Sequence, residues 1–556
     1  MSATATAPAA APAPEVAVEA VTIERDGWLR WLTSTDHKRI GVLYLYTTFV
    51  FFLLGGVEAL LLRIQLGQAE STFLEPERFN QLFTLHGTTM LFLFVVPVMA
   101  GFANYLLPLM IGARGLAFPR LAAWSYWMLL FGGVALYGSV FFNPPEAGFT
   151  VFAPLSDDAF LPNAGVDAWV IALLMISLAS LGSAINFIAT LHHMRAPGMT
   201  WSRLPLFGWA VAAYSYVTLI ATPVFLAALA MLLIDRKFDG AFFDPGQGGS
   251  AMLWQHLFWF YAHPAIYVLV LPAFGIVSEV LPVFARKPIF GYRAMVWATV
   301  SIASLGLLTW GSHMFAMPLN DTLRTIFTIT ALLAAVPAIV QICHWVATLW
   351  SGTIEARTAL HFAAGMVSML AIGIISGVFL AIFPVAWQLG DTYFLVAHLH
   401  YVLFGGAVFG VFAGLYYWFP KMSGRMLSEG LGKASFWTML VGLNVTFLIG
   451  HSAGLSGMPR RIYEYPESAG WEGYNLISTI GSFVLALGIA LTVWNVVRSV
   501  RRGSPAPPDP WHGNTLEWFT SSPPPLHNFD AIPVVSSAEP LADIRRALEG
   551  DGRAGA

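Results

Sequence analysis

The chain has 556 residues, 57% of them hydrophobic and 11% charged, with a net charge of -3. Soluble globular proteins carry roughly 25% charged residues, so the soluble class is excluded, and the absence of a basic face argues against a nucleic-acid partner. The single cysteine, Cys343, excludes an intrachain disulfide, a cysteine-based metal site and an iron–sulfur cluster.

Met1 to Pro14 is Ala/Pro-rich, with neither a basic start nor an apolar core. It reads as the start of a disordered tail over 1–27 rather than a signal peptide. A membrane-spanning helix needs about 20 mostly apolar residues. About twelve such stretches come next, near 41–63, 81–111, 123–142, 168–190, 206–233, 254–284, 292–316, 324–349, 359–384, 392–418, 434–455 and 474–500. The predicted fold is all-α, a polytopic membrane domain over 28–502. Beyond it, 503–556 is Pro-rich and is expected to lie as an extended cytoplasmic strap and tail. One set of loops carries Arg114, Arg120, Arg195, Arg203, Arg286, Lys287, Arg293, Arg357, Lys421, Arg425 and Lys433. The opposite set carries acids such as Glu146, Asp157, Asp158, Asp239 and Asp244. The positive-inside rule makes the first set cytoplasmic. An even number of spans then puts both termini in the cytoplasm of a cell with this chain in its inner (plasma) membrane. No repeat of solenoid period is present.

Ionisable groups within spans are costly and are functional candidates by default. His86, His256, His263, His313, His344, His361, His398, His400 and His451 all fall in or near predicted spans. For any one of them the plain alternative is a hydrogen bond to a neighbouring helix. The run Asp391-Thr-Tyr-Phe-Leu-Val-Ala-His398-Leu-His400 is the most informative. Residues two apart on a helix point about 200° apart, so His398 and His400 face opposite sides and can each ligate a different haem iron. With His86 as a second ligand, the haem on His400 becomes six-coordinate. The haem on His398 keeps an open face for a gas. His263 and Tyr267 share a helix face through their i,i+4 spacing, and with His313 they can hold a second metal opposite that open face.

These runs resemble subunit I of the haem–copper oxidases, the cytochrome c oxidase family. The resemblance runs from Trp31 to Phe529. It includes WLTSTDHKRIG at 31–41, LHG at 85–87, ANYLLPLMIG at 103–112, MRAPGM at 194–199, QHLFWF at 255–260, GMPRR at 457–461 and LEWFTSSPPP at 516–525. It implies two haems of A or B type, with His86 and His400 on the low-spin haem and His398 on the high-spin one. His263 and His313 become copper ligands, and Tyr267 becomes the redox tyrosine cross-linked to the first of them. Arg460 and Arg461 pair with haem propionates, and Arg63 sits near the low-spin haem's formyl group if that haem is of A type. The implied partners are a subunit II-like electron donor, cytochrome c or another donor, and O2.

The departures from the family pattern share a theme. One of two adjacent copper histidines is Ser312, which makes a poorer copper site and leaves room for another metal or none. Ala265 stands where the family has a proton-delivering Glu, Gly115 replaces the acid of one proton path, and Gln341 replaces the membrane lysine of the other. Gly390 replaces a magnesium-ligating His. Glu58 and Glu279 are acids at or near span depth outside the family pattern. Each can reroute protons or ligate a metal, or be a buried neutral acid. The leading reading is an oxidase that reduces O2 to water with little proton pumping. The alternatives are a nitric oxide reductase taking NO to N2O, which needs no pump, and a haem-bearing electron-transfer or assembly subunit without gas chemistry.

Overall fold

The structure is a computed structural model, and it describes residues 27, 29–532 and 534–546. The expected N-terminal tail lies outside the described residues except for Gly27, and so do residues 533 and 547–556 of the expected strap. Backbone packing separates a unit ending at Ser34 from a second unit that starts at Thr35. The described part of the first is the helical turn Leu29–Leu32. The second carries the membrane helices.

Among the described residues, twelve apolar helices form in the order expected from the apolar runs: α1 His37–Gln65, α2 Pro76–Met110, α3 Pro119–Phe141, α4 Ala164–His193, α5 Leu206–Lys237, α6 Ala251–Ala285, α7 Tyr292–Leu308, α8 Asp321–Leu349, α9 Thr358–Ala381, α10 Tyr393–Ser423, α11 Glu429–Leu455 and α12 Glu472–Arg502. Eleven are long and apolar enough to cross a bilayer, and α7 is the shorter one. Polar side chains start several of them. Asn163 accepts from Gly165 N at 3.0 Å at the head of α4, and Asn320 accepts from Leu323 N at 2.9 Å at the head of α8. Such caps satisfy amides that have no partner within the helix.

Helix α5 is capped from outside. Its N-cap residue is Pro205, which offers no side-chain acceptor. Glu279 of α6 fills the role, accepting from Phe207 N at 3.1 Å. A carboxylate at a helix N-terminus also complements the macrodipole. The position of Glu279 therefore has a structural cause in helix capping.

The apolar run expected over 292–316 is split. Helix α7 ends at Leu308, and Trp310–Met314 winds as a tight 3-10 turn. Thr309 leaves the helical region at φ -110° and ψ 9°. Its hydroxyl bonds back to Leu305 O at 3.2 Å, while the Ser312 hydroxyl donates to Thr309 O at 2.8 Å. Side-chain hydroxyls that compete for backbone carbonyls in this way tighten or end a helix.

Helices α2 and α6 form the centre. In their most apolar stretches 89% and 94% of residues are buried against protein, compared with 22% in α8. The strap seals one end of the bundle. Buried Lys421 donates to Pro508 O at 2.9 Å and Thr520 O at 2.7 Å. Trp511 Nε1 donates to Tyr417 O at 2.8 Å. Glu517, wholly buried in the strap, accepts from Thr515 Oγ1 at 2.7 Å, and burial pushes its carboxyl up from the usual range.

Candidate active site

Helix α10 separates two histidine environments, as its two-residue spacing requires. On one side the rings of His86 and His400 lie nearly parallel, 11° apart, with centroids 6.5 Å apart. His86 Nδ1 bonds Gly55 O at 2.8 Å, and His400 Nδ1 bonds Val396 O at 2.8 Å. Tying Nδ1–H to a carbonyl fixes the tautomer and turns the Nε2 lone pair outward, as metal-ligating histidines require. Two metal–imidazole bonds of about 2 Å each set ring centres roughly 6 Å apart, so the pair fits an iron held between them. Phe447 stacks on His400 at 4.0 Å and holds its ring plane.

The helices that carry these two imidazoles share a further feature. Each widens into a π-helix soon after its histidine, over Thr89–Val95 in α2 and Tyr401–Val408 in α10. Such segments occur often at functional sites. Neither is visible in the apolar pattern.

His398 faces the other side, onto a cavity of about 400 Å³ that is also lined by His263, His313, Tyr267 and Arg460. Its Nδ1 is 3.0 Å from Ser376 Oγ, which again leaves Nε2 available. A methyl group on Gly377 would stand 3.0 Å from His398 Cε1, so this glycine gives the imidazole room. Ser376 and Gly377 carry no signal in the sequence because each is an ordinary small residue in an apolar helix.

Charged groups ring the polar end. Arg460 is paired with Asp391 at 2.6 Å. Half-buried Arg461 makes a 3.4 Å contact to Thr150 Oγ1 and lies over the rings of Phe83 and Phe152, and its Nε atom is buried with no hydrogen-bond partner. Burial and the neighbouring Arg460 lower its guanidinium to about 10. Arg63 donates to the Tyr393 hydroxyl at 2.6 Å and Asn475 O at 2.8 Å, and its Nε is also buried without a partner. A buried and a half-buried cation, each with a spare donor, fit the polar edge of a haem.

The structure brings His263, His313 and Tyr267 together on this cavity, and Ser312 adds no third imidazole. His263 Nδ1 lies 2.8 Å from His313 Nε2, a direct hydrogen bond. Thr309 Oγ1 closes on the other nitrogen of His263. Ser312 is turned back onto its own turn. Trp259 stacks on His313 at 4.1 Å, and the Tyr267 ring centre is 5.0 Å from that of His263. Among the described residues no group of three or more His, Cys, Asp or Glu is arranged to hold a metal. Two imidazoles and a diverted hydroxyl do not make a copper site of the three-imidazole kind. Copper in the wild-type subunit is therefore expected to be well below one per chain and to rise toward one in Ser312→His, by elemental analysis with any subunit II copper counted separately. Full wild-type occupancy would overturn this expectation.

His344 and His361 take the plain reading: each bonds a carbonyl one turn back, Val340 O at 2.7 Å and Arg357 O at 2.9 Å. At the positions of the missing proton anchors, Gln341 is buried and donates to Thr299 Oγ1 at 2.8 Å. Ala265 borders the cavity and also a void of about 10 Å³ lined by Ser180, Thr218 and Tyr261, near the lower size limit for one water. Nothing lies within 4 Å of the position a side chain would take at Gly115.

Comparison with known proteins points one way. The model of the family described as cytochrome c and quinol oxidase polypeptide I matches residues 39–484. The cytochrome c oxidase subunit 1 of Thermostichus vulcanus is 47% identical over 524 residues, 94% of either chain. That of Corynebacterium efficiens is 47% identical over 527 residues, 94% of this chain and 90% of its own. A haem–copper terminal oxidase dimer solved by cryo-EM superposes with a TM-score of 0.72 over 85% of each chain at 17% identity, a likeness of fold.

Proposed function

The chain belongs to the cytochrome c and quinol oxidase polypeptide I family and is a multi-pass membrane subunit of a terminal respiratory oxidoreductase; from that premise we propose that it reduces O2 to water at a high-spin haem on His398, fed by a low-spin haem on His86 and His400, with little proton pumping. The observation that carries the reading is the two-sided α10, with the His86–His400 pair on one face and His398 on the shared cavity with Tyr267 on the other. The family's cofactors are haem and copper. Here the residues fit the haems and fit copper poorly.

Haem iron, when bound, supplies electron transfer at the six-coordinate position and gas binding at the five-coordinate one. The protein's own groups do the rest. Gly55 O and Val396 O hold the His86 and His400 rings in a metal-binding tautomer, and Ser376 does so for His398. Arg460 and Arg461 neutralise carboxylates at the polar edge. Tyr267 stands on the cavity wall, where its phenol oxygen can release a proton and the ring an electron to bound O2. The electron donor in this reading is a subunit II-like partner supplied by cytochrome c or another carrier. In this reading the strap lies on the cytoplasmic side and the domain limits are 28–502 and 503–556; the two ends of the chain, expected on the same side, lie outside the described residues.

Nitric oxide reduction is the second reading, favoured by the missing proton anchors and the incomplete metal site. Gas consumption by the purified complex with a reduced donor separates the two. O2 uptake is expected to exceed NO consumption by at least about tenfold, the equivalent of about 1.4 kcal/mol in barrier, and to vanish in His398→Ala. NO turnover to N2O with hardly any O2 uptake would replace the oxidase reading.

A further inference from the structure

Glu58 is foreign to the motifs that carry the family resemblance, and it is built into α1 rather than left at a surface. The residue is 6% exposed. Its Oε1 accepts from the Tyr137 hydroxyl of α3 at 3.0 Å. The Tyr137 oxygen lies 2.9 Å from Thr89 Oγ1 of α2. The second carboxyl oxygen, Oε2, is buried with no partner. The chain Glu58–Tyr137–Thr89 thus joins three helices at membrane depth and ends in an unused oxygen.

The network's residues neighbour, on α1 and α2, the residues that seat the His86 imidazole. Gly55, whose carbonyl receives His86 Nδ1–H, is one helical turn before Glu58, a rise of about 4.5 Å. Thr89 is three residues past His86 on α2. Its methyl carbon would stand 3.3 Å from a Cβ placed on Gly55, so Thr89 and the Gly55 backbone are packed together. Helices α2, α3 and α12 pack on α1, and Tyr137 is the titratable side chain among the described residues that reaches Glu58. His86 is committed to Gly55. Arg63, further along α1, is turned to Tyr393, Asn475 and Thr479. Tyr126 of α3 bonds Thr47, three turns away on α1. On α2, Tyr105 bonds Lys421 O, and Arg78 bonds Gln81 near the opposite end from Tyr105. The acids and arginines of α12 lie at its ends.

We propose that Glu58 is a redox-linked proton acceptor for the low-spin haem site, taking up one proton when that site gains one electron. The proposal rests on His86 and His400 being the ligands of that haem. A carboxylate supported by a single O–H donor is poorly stabilised in an apolar interior. It stays ionised only while compensating positive charge is close. Reduction removes one unit of positive charge from the haem site beside Gly55 and His86, and the carboxylate then protonates. The electron comes from the respiratory donor. The proton comes from water, and the O–H bond forms on Oε2, the oxygen without a partner. Tyr137 and Thr89 are positioning residues: they hold Oε1 so that Oε2 remains the oxygen that titrates.

The test is the midpoint potential of the low-spin haem as a function of pH, with the infrared reduced-minus-oxidised spectrum of the whole complex. The wild-type potential is expected to fall with rising pH at a slope approaching about 59 mV per unit, the one-electron equivalent of a tenfold change. Reduction should produce a protonated-carboxyl band. In Glu58→Gln the six-coordinate spectrum should remain, while both the slope and the band disappear. In Tyr137→Phe the band should persist at a shifted frequency, a readout that serves even if Glu58→Gln does not assemble. A Glu58→Gln protein with the wild-type slope and band would overturn the proposal, as would a wild type with a flat potential and no carboxyl band. A wild type without any six-coordinate haem would instead overturn the ligand assignment on which the proposal rests, so the two failures are distinguishable.

Discussion

The His86→Ala and His400→Ala proteins are expected to lose the low-spin haem signal completely while keeping a high-spin haem that binds CO. His398→Ala is expected to do the reverse, keeping the low-spin spectrum and losing both CO binding and turnover. The geometry leaves little overlap between the two sets. His86 and His400 form one parallel pair at 6.5 Å, whereas His398 is held by Ser376 on the opposite face of α10. An axial imidazole decides both the spin state and the retention of its haem, so the effect should be loss of one haem per chain rather than a graded shift. Reduced and reduced-plus-CO spectra of the three variants provide the check. If all three lost the same haem, the division of labour across α10 would be wrong.

That His398 and His400 face opposite sides of α10 was legible in the sequence because it rests on helical periodicity alone: two histidines two residues apart must diverge. The run of apolar stretches was legible for a similar reason, since each helix has to span a bilayer. What could not be read depends on contacts between distant residues or on polar groups inside an apolar run. Glu279 meets the Phe207 amide 72 residues away, and nothing local to Glu279 announces a helix without its own cap. The end of α7 was hidden because apolar residues resume over Met314–Ala316 as the turn ends, whereas the hydroxyls of Thr309 and Ser312 make the turn. Replacement of a histidine by Ser312 was visible from the resemblance. That His263 and His313 bond each other directly was not.

Turnover is expected to proceed with far less outward proton release than the family's resemblance implies, and the effect should approach complete loss of pumping. A redox pump must connect the aqueous phase to the buried site through groups that take up and release protons. Unpaired buried charge costs several kcal/mol, so such groups persist where they are used. Gly115, Ala265 and Gln341 cannot titrate. The Gln341 amide is fixed on Thr299, whose hydroxyl in turn bonds Met295 O at 2.9 Å, so the hydrogen-bond chain ends on α7. Apart from the cavity of about 400 Å³, Ala265 borders a void with room for about one water, too little by itself for a continuous wire. One loss can be bridged by a neighbouring side chain; loss of the anchors of both proton paths, together with the acid between them, is much harder to bridge. Proton release from vesicles reconstituted with the complex, recorded during O2 turnover with and without an uncoupler, measures the effect. Robust outward pumping would reveal a channel built from other groups, with Glu58 and Glu279 the first to mutate.

The central claim is that one chain holds two haems of unlike coordination on the two faces of α10. Haem content per chain, measured together with the fraction that binds CO after reduction, tests it most directly. The account predicts two haems per chain, one reactive with CO and one inert. A single haem, or two that both bind CO, would contradict it.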